Sequence, residues 1–334
     1  MYRPGRGIRL RSSARSDRGR VRQNNEDSVH LWDTETSVLA VVADGMGGAV
    51  AGEEASRITV ETIQSKLTTD DYRSPEDYSH YDSDDLADLM GEAVKEANQN
   101  IMDKVLASPE LKGMGTTVTM AFARFNDVIL AHVGDSRAYY VDSSDESINQ
   151  LTSDHSFVQA LVDAGHINET EAESHPMKNV LYRALGQAED IDVDVIQDIH
   201  IHAGDRLVLC SDGLTLHLSS DEIGEVALSS DDPNIISDKL VELANSRGGK
   251  DNVSVVVIVA ELITIDHIER TTEIELNISS SDEPTVPMNP DYLDVIRSNK
   301  SLDNLQVDDD PFATQETPSA GIYGEGSDSF DSFF

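Results

Sequence analysis

The 334-residue chain carries 63 acidic side chains against 25 lysines and arginines, a formal net charge of −38, and 38% of its residues are hydrophobic. A core can form, but so acidic a chain lacks the cationic footprint that general nucleic-acid binding needs. The single cysteine, Cys210, excludes an intrachain disulfide framework, and no run reaches the roughly 20 apolar residues that span a bilayer.

The chain opens on "MYRPGRGIRLRSSARSDRGR", rich in arginine but without the apolar centre of a signal peptide. Residues 1–13 are expected to be a disordered basic leader, with a transit peptide as the alternative, and the cytoplasm is the default compartment. Residues 14–264 read as one globular unit. The runs "SVLAVVADG", "TTVTMAFARF", "DVILAHVGDSRAYYV", "DRLVLCSDG" and "DNVSVVVIVAEL" are apolar and rich in β-branched residues, and each is short enough for a strand. Asn126-Asp127 falls between two of these runs and predicts a hairpin turn.

Two stretches carry helical periodicity. Val60, Ile63 and Leu67 recur at spacings of three or four within residues 50–67. Leu86, Met90, Ala93, Ala97, Ile101 and Val105 do the same within 84–106. Several strands follow one another with no helix between them, which argues against a doubly wound parallel sheet. An α+β fold of antiparallel sheets covered by long helices is expected. Residues 265–334 are rich in Asp, Ser, Pro and Gly with apolar residues scattered aperiodically. Such a stretch buries too little surface to offset its conformational entropy, so an acidic disordered tail is expected. Its last residues, "DSFDSFF", read equally as a docking segment or as a solvated end.

The acids at the ends of the apolar runs are the informative feature. "VVADG" ends at Asp44-Gly45, "AHVGDSR" places Asp135 after a glycine, "LVLCSDG" ends at Asp212-Gly213, and Asp251-Asn252 opens the last strand. Glu26-Asp27 stands just before the first. Taken singly, Asp-Gly at a strand end is an ordinary turn. Taken together, side-by-side strands would crowd these carboxylates into one volume, where they repel unless a cation joins them. Oxygen-only ligands without Cys or His point to hard ions, Mg²⁺ or Mn²⁺. Glycine after the acid leaves room for a backbone carbonyl or a water.

The motifs "SDRGRVRQNNEDS", "VVADGMGGAVAGEEAS", "GMGTTVTMAFARFNDVILAHVGDSRAYYV", "LTSDHSFVQALVDAGHI", "HPMKNVLYRALG", "GDRLVLCSDGL" and "GGKDNVSVVVI" follow in that order. Over residues 14–262 this resembles the metal-dependent serine/threonine protein phosphatases of the type 2C family in their compact bacterial form. The resemblance implies a four-layer sandwich of two antiparallel sheets flanked by helices, with a pair of Mn²⁺ or Mg²⁺ ions at one end. It implies that Asp44 bridges both metals, that the Gly45 carbonyl completes one site, and that Asp27 contributes to the pair with Glu26 acting through water. Asp212 and Asp251 would hold the other metal. Asp135 stands where a third, weaker metal is bound, with a structural turn as the alternative. Arg22, three residues before "NED", matches the arginine that binds the substrate phosphate. Two such metals can share a water and lower its pKa to near neutrality for in-line attack, so no phosphoenzyme is required. The substrates implied are phosphoserine and phosphothreonine in proteins, in opposition to a Ser/Thr protein kinase and including the kinase itself; neither nucleic acid nor membrane is expected as a partner.

The departures are specific. Met46 and Ala49 stand where many relatives carry a histidine shortly after the first aspartate, so no general acid is assigned. Residues 152–190 resemble the mobile flap of bacterial members, with Asn179 a weak candidate third-metal ligand. Cys210 lacks the arginine six residues later that a cysteine phosphatase needs, since Leu216 stands there, and reads as a buried structural thiol. "GMGG" has neither the G-x-G-x-x-G continuation nor a Walker lysine. His132, within a strand, reads as a packing or an edge residue. A non-catalytic phosphoprotein-binding adaptor of the same fold is the rival function, and a phosphatase of small phosphoesters is a further one. The adaptor reading is disfavoured because Asp27, Asp44, Asp212 and Asp251 are all present.

Overall fold

A computed structural model describes residues 7–34, 36–68, 78 and 81–263. In chain order the elements are β1 (Ile8–Asp17), β2 (Asp27–Asp33), β3 (Ser37–Met46), α1 (Ala49–Leu67), α2 (Ser83–Ala107), β4 (Gly115–Thr116), β5 (Val118–Arg124), β6 (Asp127–Val133), β7 (Arg137–Val141), β8 (Ile148–Gln150), α3 (Phe157–Asp163), α4 (Glu169–Glu173), β9 (Asp194–His200), β10 (Arg206–Cys210), α5 (Asp212–Thr215), α6 (Ser220–Leu228), α7 (Pro233–Ser246) and β11 (Val253–Leu262). These residues fall within the first of two units, Met1–Thr271; the second, Thr272–Phe334, lies outside the described residues, as does the acidic tail expected from residue 265.

One sheet has five strands in the order β1-β11-β10-β7-β8, the other six, with β2-β3-β5-β6-β9 in a row and β4 paired to β3. The pairings are antiparallel, as the succession of strands without helices predicts. Three apolar layers separate four structural ones. Val38, Ala40, Val42, Leu130, Leu209, Val256 and Ile258 fill the space between the sheets. The opposite faces of β3 and β5, with Leu39, Val41, Met120 and Phe122, pack on Ile63 of α1 and on Met90 and Ile101 of α2. Val208, Val255 and Val257 pack on Ile223 of α6 and on Ile236 and Leu240 of α7. β3 is buried on both faces, so it reads as a continuous apolar run. Removing each large apolar side chain from water stabilises the fold by roughly 1.5–3 kcal/mol.

The helical periodicities hold closely. Val60, Ile63 and Leu67 are buried on α1, and Leu86, Met90, Ala93, Ala97 and Ile101 on α2. Asp82 caps α2 by accepting from the Asp85 backbone N–H at 2.9 Å, and Asp84 and Asp85 in its first turn complement the helix dipole.

Three expectations need correction. The basic leader was expected to extend to residue 13, yet β1 begins at Ile8 and pairs with β11 along its length, from Ile8↔Leu262 to Asp17↔Val253. Its arginines are compatible with a strand because they find acids: Arg11 Nη1 donates to Glu261 at 2.9 Å, and Arg15 pairs with Asp238. The hairpin turn lies one residue earlier than expected, at Phe125-Asn126, because Arg124 and Asp127 are register partners and Phe125 takes φ 55°. The strand carrying Asp44 does not end at that acid; it continues to Met46, where Gly45 and Met46 pair with Thr116 and Gly115.

Candidate metal centre

β2 and β3 bring the first two acids together, since Asp27 and Asp44 are register partners. Directly opposed residues in an antiparallel pair hold their Cβ atoms about 5 Å apart. Asp212 opens α5 directly after β10 and Ser211, close enough to act electrostatically on Asp44. Asp251 precedes β11. Arg22 Nη2 donates to its Oδ2 at 2.7 Å, and Arg22 Nη1 stands 3.9 Å from Glu26 Oε1. Asp135, in the β6–β7 turn, is close enough to act electrostatically on Asp44 and to feel Asp212. Acids scattered from Asp27 to Asp251 thus share one end of the sandwich.

The electrostatics record the crowding. Burial pushes Asp27 up to about 7, with Asp212 and Asp251 adding to it against hydrogen bonds from Ser254 and Ser211. Burial raises Asp212 to about 6, with Asp251 behind it. Asp135 is raised to about 8 by burial, Asp212 and Asp154. Asp44 is held well above the usual carboxylate range by burial and then by Asp27, Asp212, Asp135 and Asp251. Glu26 is raised chiefly by burial, although Arg22 opposes the shift. For Arg22, burial works against the charge, but Asp251, Glu26 and Asp44 outweigh it and hold the guanidinium above its ordinary value.

The donor set fits a hard divalent ion. Asp27 Oδ2 accepts from Ser211 Oγ at 2.8 Å, while Asp27 Oδ1 is buried with no hydrogen-bond partner. A buried carboxylate oxygen left unpaired is costly, and a cation is the partner that suits it. Among the described residues no group of three Asp, Glu, His or Cys side chains is already arranged around a single ion. Asp27 and Asp44 face each other across the β2–β3 ladder, and Asp212 acts on Asp44 through its charge.

Gly45 also has a packing reason to be glycine, beside the room it was expected to leave for a carbonyl or a water. A Cβ there would stand 2.1 Å from the Gly52 carbonyl oxygen and 2.6 Å from that of Glu26. Gly45 therefore lets the first turn of α1 close against β3. A Cβ on Gly52 would in turn stand 2.2 Å from Glu26 Oε2, so the Glu26 carboxylate occupies space beside α1.

Several supporting groups escaped the sequence reading. The buried Asn252 side chain accepts from the Glu26 backbone N–H at 2.8 Å and donates to the carbonyls of Arg18 and Asn24, both at 2.9 Å. It ties the loop bearing Arg22 and Asp27 to β11. Ser211 Oγ accepts from the Ser254 N–H at 3.0 Å while donating to Asp27. Thr117 Oγ1 accepts from the Asp44 N–H at 3.0 Å. "DNVS" hinted at Asn252 by adjacency to Asp251, but amide and hydroxyl partners across the chain leave no local pattern.

The expected flap, residues 152–190, contains α3 and α4 and is tied at both ends. Phe157 N donates to Val180 O at 2.8 Å, Tyr182 N to His155 O at 2.9 Å, and Leu185 N to Thr116 O at 2.9 Å. Asn179 is exposed on the turn after α4. His132 is buried between Thr119 Oγ1 at 2.9 Å and Ser153 O at 3.2 Å, a packing role. Cys210 is buried in the core, and burial pushes its thiol up to about 12, which leaves it inert at neutral pH.

The fold and its acidic end define a class, the antiparallel sandwiches that gather carboxylates at one end, and comparison with known proteins narrows it. Residues 17–243 match the family described as Protein phosphatase 2C, and the chain belongs to that family. It is 40% identical over 262 residues to the serine/threonine protein phosphatase PstP of Mycobacterium tuberculosis, a match covering 77% of this chain and 46% of the mycobacterial protein. The chain thus spans about half the length of that relative. It is 34% identical over 254 residues to the serine/threonine phosphatase stp of Listeria monocytogenes, covering 76% of this chain and 97% of the relative. A crystal structure of the catalytic domain of PstP in complex with two manganese ions superposes with a TM-score of 0.63 at 38% identity, covering 76% of this chain and 99% of that one.

Proposed function

We propose that the chain is a Mn²⁺- or Mg²⁺-dependent phosphatase that hydrolyses phosphoserine and phosphothreonine in proteins, acting in cytoplasmic signalling against a Ser/Thr kinase whose own phosphorylated form is among its substrates. The observation that carries this reading is the unpaired, buried Oδ1 of Asp27 within a cluster that also holds Asp44, Asp212 and Asp251. Asp27, Asp44, Asp212 and Asp251 would hold a pair of ions, with the Gly45 carbonyl completing one site and Asp135 serving a third. The two-manganese relative supports that stoichiometry. Bound divalent metal supplies Lewis acidity toward phosphoryl oxygens and toward water.

The chain's own residues supply the rest. Arg22 stands at the rim of the acids, with its side chain half exposed and its guanidinium within reach of Asp251. A guanidinium there orients a phosphate through paired charge-assisted hydrogen bonds. Glu26, seated against Gly52 and close to Arg22, restrains that arginine from the other side. Ser211 holds Asp27 by one oxygen and leaves the other free to coordinate. Among the described residues no helix is long and apolar enough to cross a membrane.

The test is hydrolysis of a phosphothreonine peptide by the full chain. Phosphate release with Mn²⁺ that stops on adding EDTA is expected, and binding of the peptide without release would instead establish an adaptor.

A further inference from the structure

Two cations beside the site have no counterpart in the metal-and-phosphate chemistry. Arg20 and Lys250 are exposed, and among the described residues neither side chain makes a hydrogen bond or ion pair. Other nearby arginines are engaged: Arg22 with Asp251, Arg18 with the Gln23 carbonyl at 3.1 Å, and Arg247 with Glu222 at 2.7 Å.

Both free cations stand on backbone that is pinned together. The Arg20 N–H donates to the Gly249 carbonyl at 2.7 Å and the Val21 N–H to the same oxygen at 3.2 Å. Lys250 follows Gly249 directly, and its own N–H donates to His217 Nε2 at 3.1 Å. The packing is tight: a Cβ on Gly19, whose φ is +79°, would stand 2.1 Å from the Asp251 carbonyl oxygen. Asp17 Oδ1 accepts from the Gly19 N–H at 2.8 Å and from Asn245 Nδ2 at 3.1 Å, which secures the same pair of loops. Arg20 therefore lies two residues from Arg22 and Lys250 one residue from Asp251, on neighbouring loops held together by these backbone hydrogen bonds.

Resting on the phosphatase reading above, we infer that Arg20 and Lys250 form a specificity subsite for an anionic side chain close in sequence to the phosphorylated serine or threonine. The anion is a carboxylate or a second phosphate, since both suit an unpaired guanidinium and ammonium. The net charge of −38 gives the subsite a purpose. An acidic substrate is repelled by most of this molecule, and cations carried next to Arg22 and Asp251 in the chain offset that repulsion locally. Their backbones are held by these hydrogen bonds, so binding orders the two side chains without also having to order the loops that carry them.

The experiment compares kcat/KM for the full chain with Mn²⁺ on four phosphothreonine peptides that differ only in the flanking positions: alanine, aspartate, phosphoserine or lysine. p-Nitrophenyl phosphate runs alongside. Exposed charge pairs of this kind correspond to a preference of about three- to tenfold for the aspartate or phosphoserine peptide over the alanine one, shrinking toward one in high salt as screening grows. In the double variant Arg20→Ala/Lys250→Ala the ratio falls to about one. In Arg20→Glu/Lys250→Glu the lysine peptide becomes the preferred substrate. The aspartate and phosphoserine arms distinguish carboxylate from phosphate selection. Equal rates on alanine and anionic peptides in the unmodified chain, or a preference that survives the double variant or high salt, overturn the inference. Absence of turnover on p-nitrophenyl phosphate and every peptide would overturn the phosphatase reading instead.

Discussion

Asp27 and Asp44 are register partners on adjacent antiparallel strands, β2 and β3, with Asp27 Oδ1 buried and unpaired. Like charges placed directly opposite destabilise a sheet. A fold that keeps this pair, and adds Asp212 and Asp251 to it, has the character of a site that binds cations rather than of a structural core.

Replacing Asp44 by asparagine keeps the size and much of the hydrogen bonding but removes the charge shared among the acids. Turnover is expected to fall by more than about a hundredfold, the upper end of what altering a metal's surroundings costs. Circular dichroism and the melting transition should stay close to those of the unmodified chain. Activity within a few-fold of the unmodified chain would remove Asp44 from the centre.

The pH dependence of metal binding follows from the raised carboxyls. Asp27, Asp212 and Asp135 stand at about 7, 6 and 8 when folded. In the unfolded chain an aspartate titrates near about 3.9. An acid raised on folding binds its proton more tightly in the native state, so these groups lose stabilising effect as pH climbs from about 4 to about 8. Metal must displace those protons. Mg²⁺ should therefore raise the melting temperature by several degrees, about 5 °C, at pH 8 and hardly at all at pH 5.5. A shift as large at pH 5.5, read by differential scanning calorimetry against an EDTA control, would contradict the assignment.

Arg22→Ala should lower kcat/KM on a phosphothreonine peptide by about ten- to a hundredfold, the range for losing a hydrogen bond to a charged group. Most exposed charges are worth under about 1 kcal/mol. The melting temperature should change little, because the Arg22 side chain is half exposed. A loss no greater than that of another exposed arginine would leave Arg22 without a phosphate role.

Asn252→Ala removes three hydrogen bonds, to Glu26, Arg18 and Asn24, from a buried position. The orphaned backbone groups should cost about 2–4 kcal/mol of stability. Loosening the Arg22 loop should also weaken metal affinity by about tenfold or more. Denaturant unfolding and a Mn²⁺ titration read the two effects separately, and a variant unchanged in both would contradict the role given to Asn252.

Much of this architecture was legible because it rests on local patterns. The three- and four-residue spacing of Leu86 through Ile101 marked α2, and the apolar, β-branched run of β3 marked a strand, which the structure buries on both faces. Asp44, Asp135, Asp212 and Asp251 were legible because each sits beside a glycine or asparagine at the edge of an apolar run, and Asp27 because it pairs with Glu26 just before one. β1 was hidden because its arginines suggested a leader, and only their partners Glu261 and Asp238, far along the chain, make it a strand. The turn at Phe125 was displaced because Asn126-Asp127 has the stronger turn composition, whereas the register of β5 and β6 decides the position. Ser211, Ser254 and Asn252 were invisible because their contacts are long-range and hydroxyls and amides carry no periodicity.

Calorimetric titration of the EDTA-stripped chain with Mn²⁺ at pH 8 tests the convergence of these acids most directly. Two ions bound per chain are expected, with both losing affinity in Asp27→Asn. No saturable binding, or an isotherm that Asp27→Asn leaves unchanged, would contradict the account.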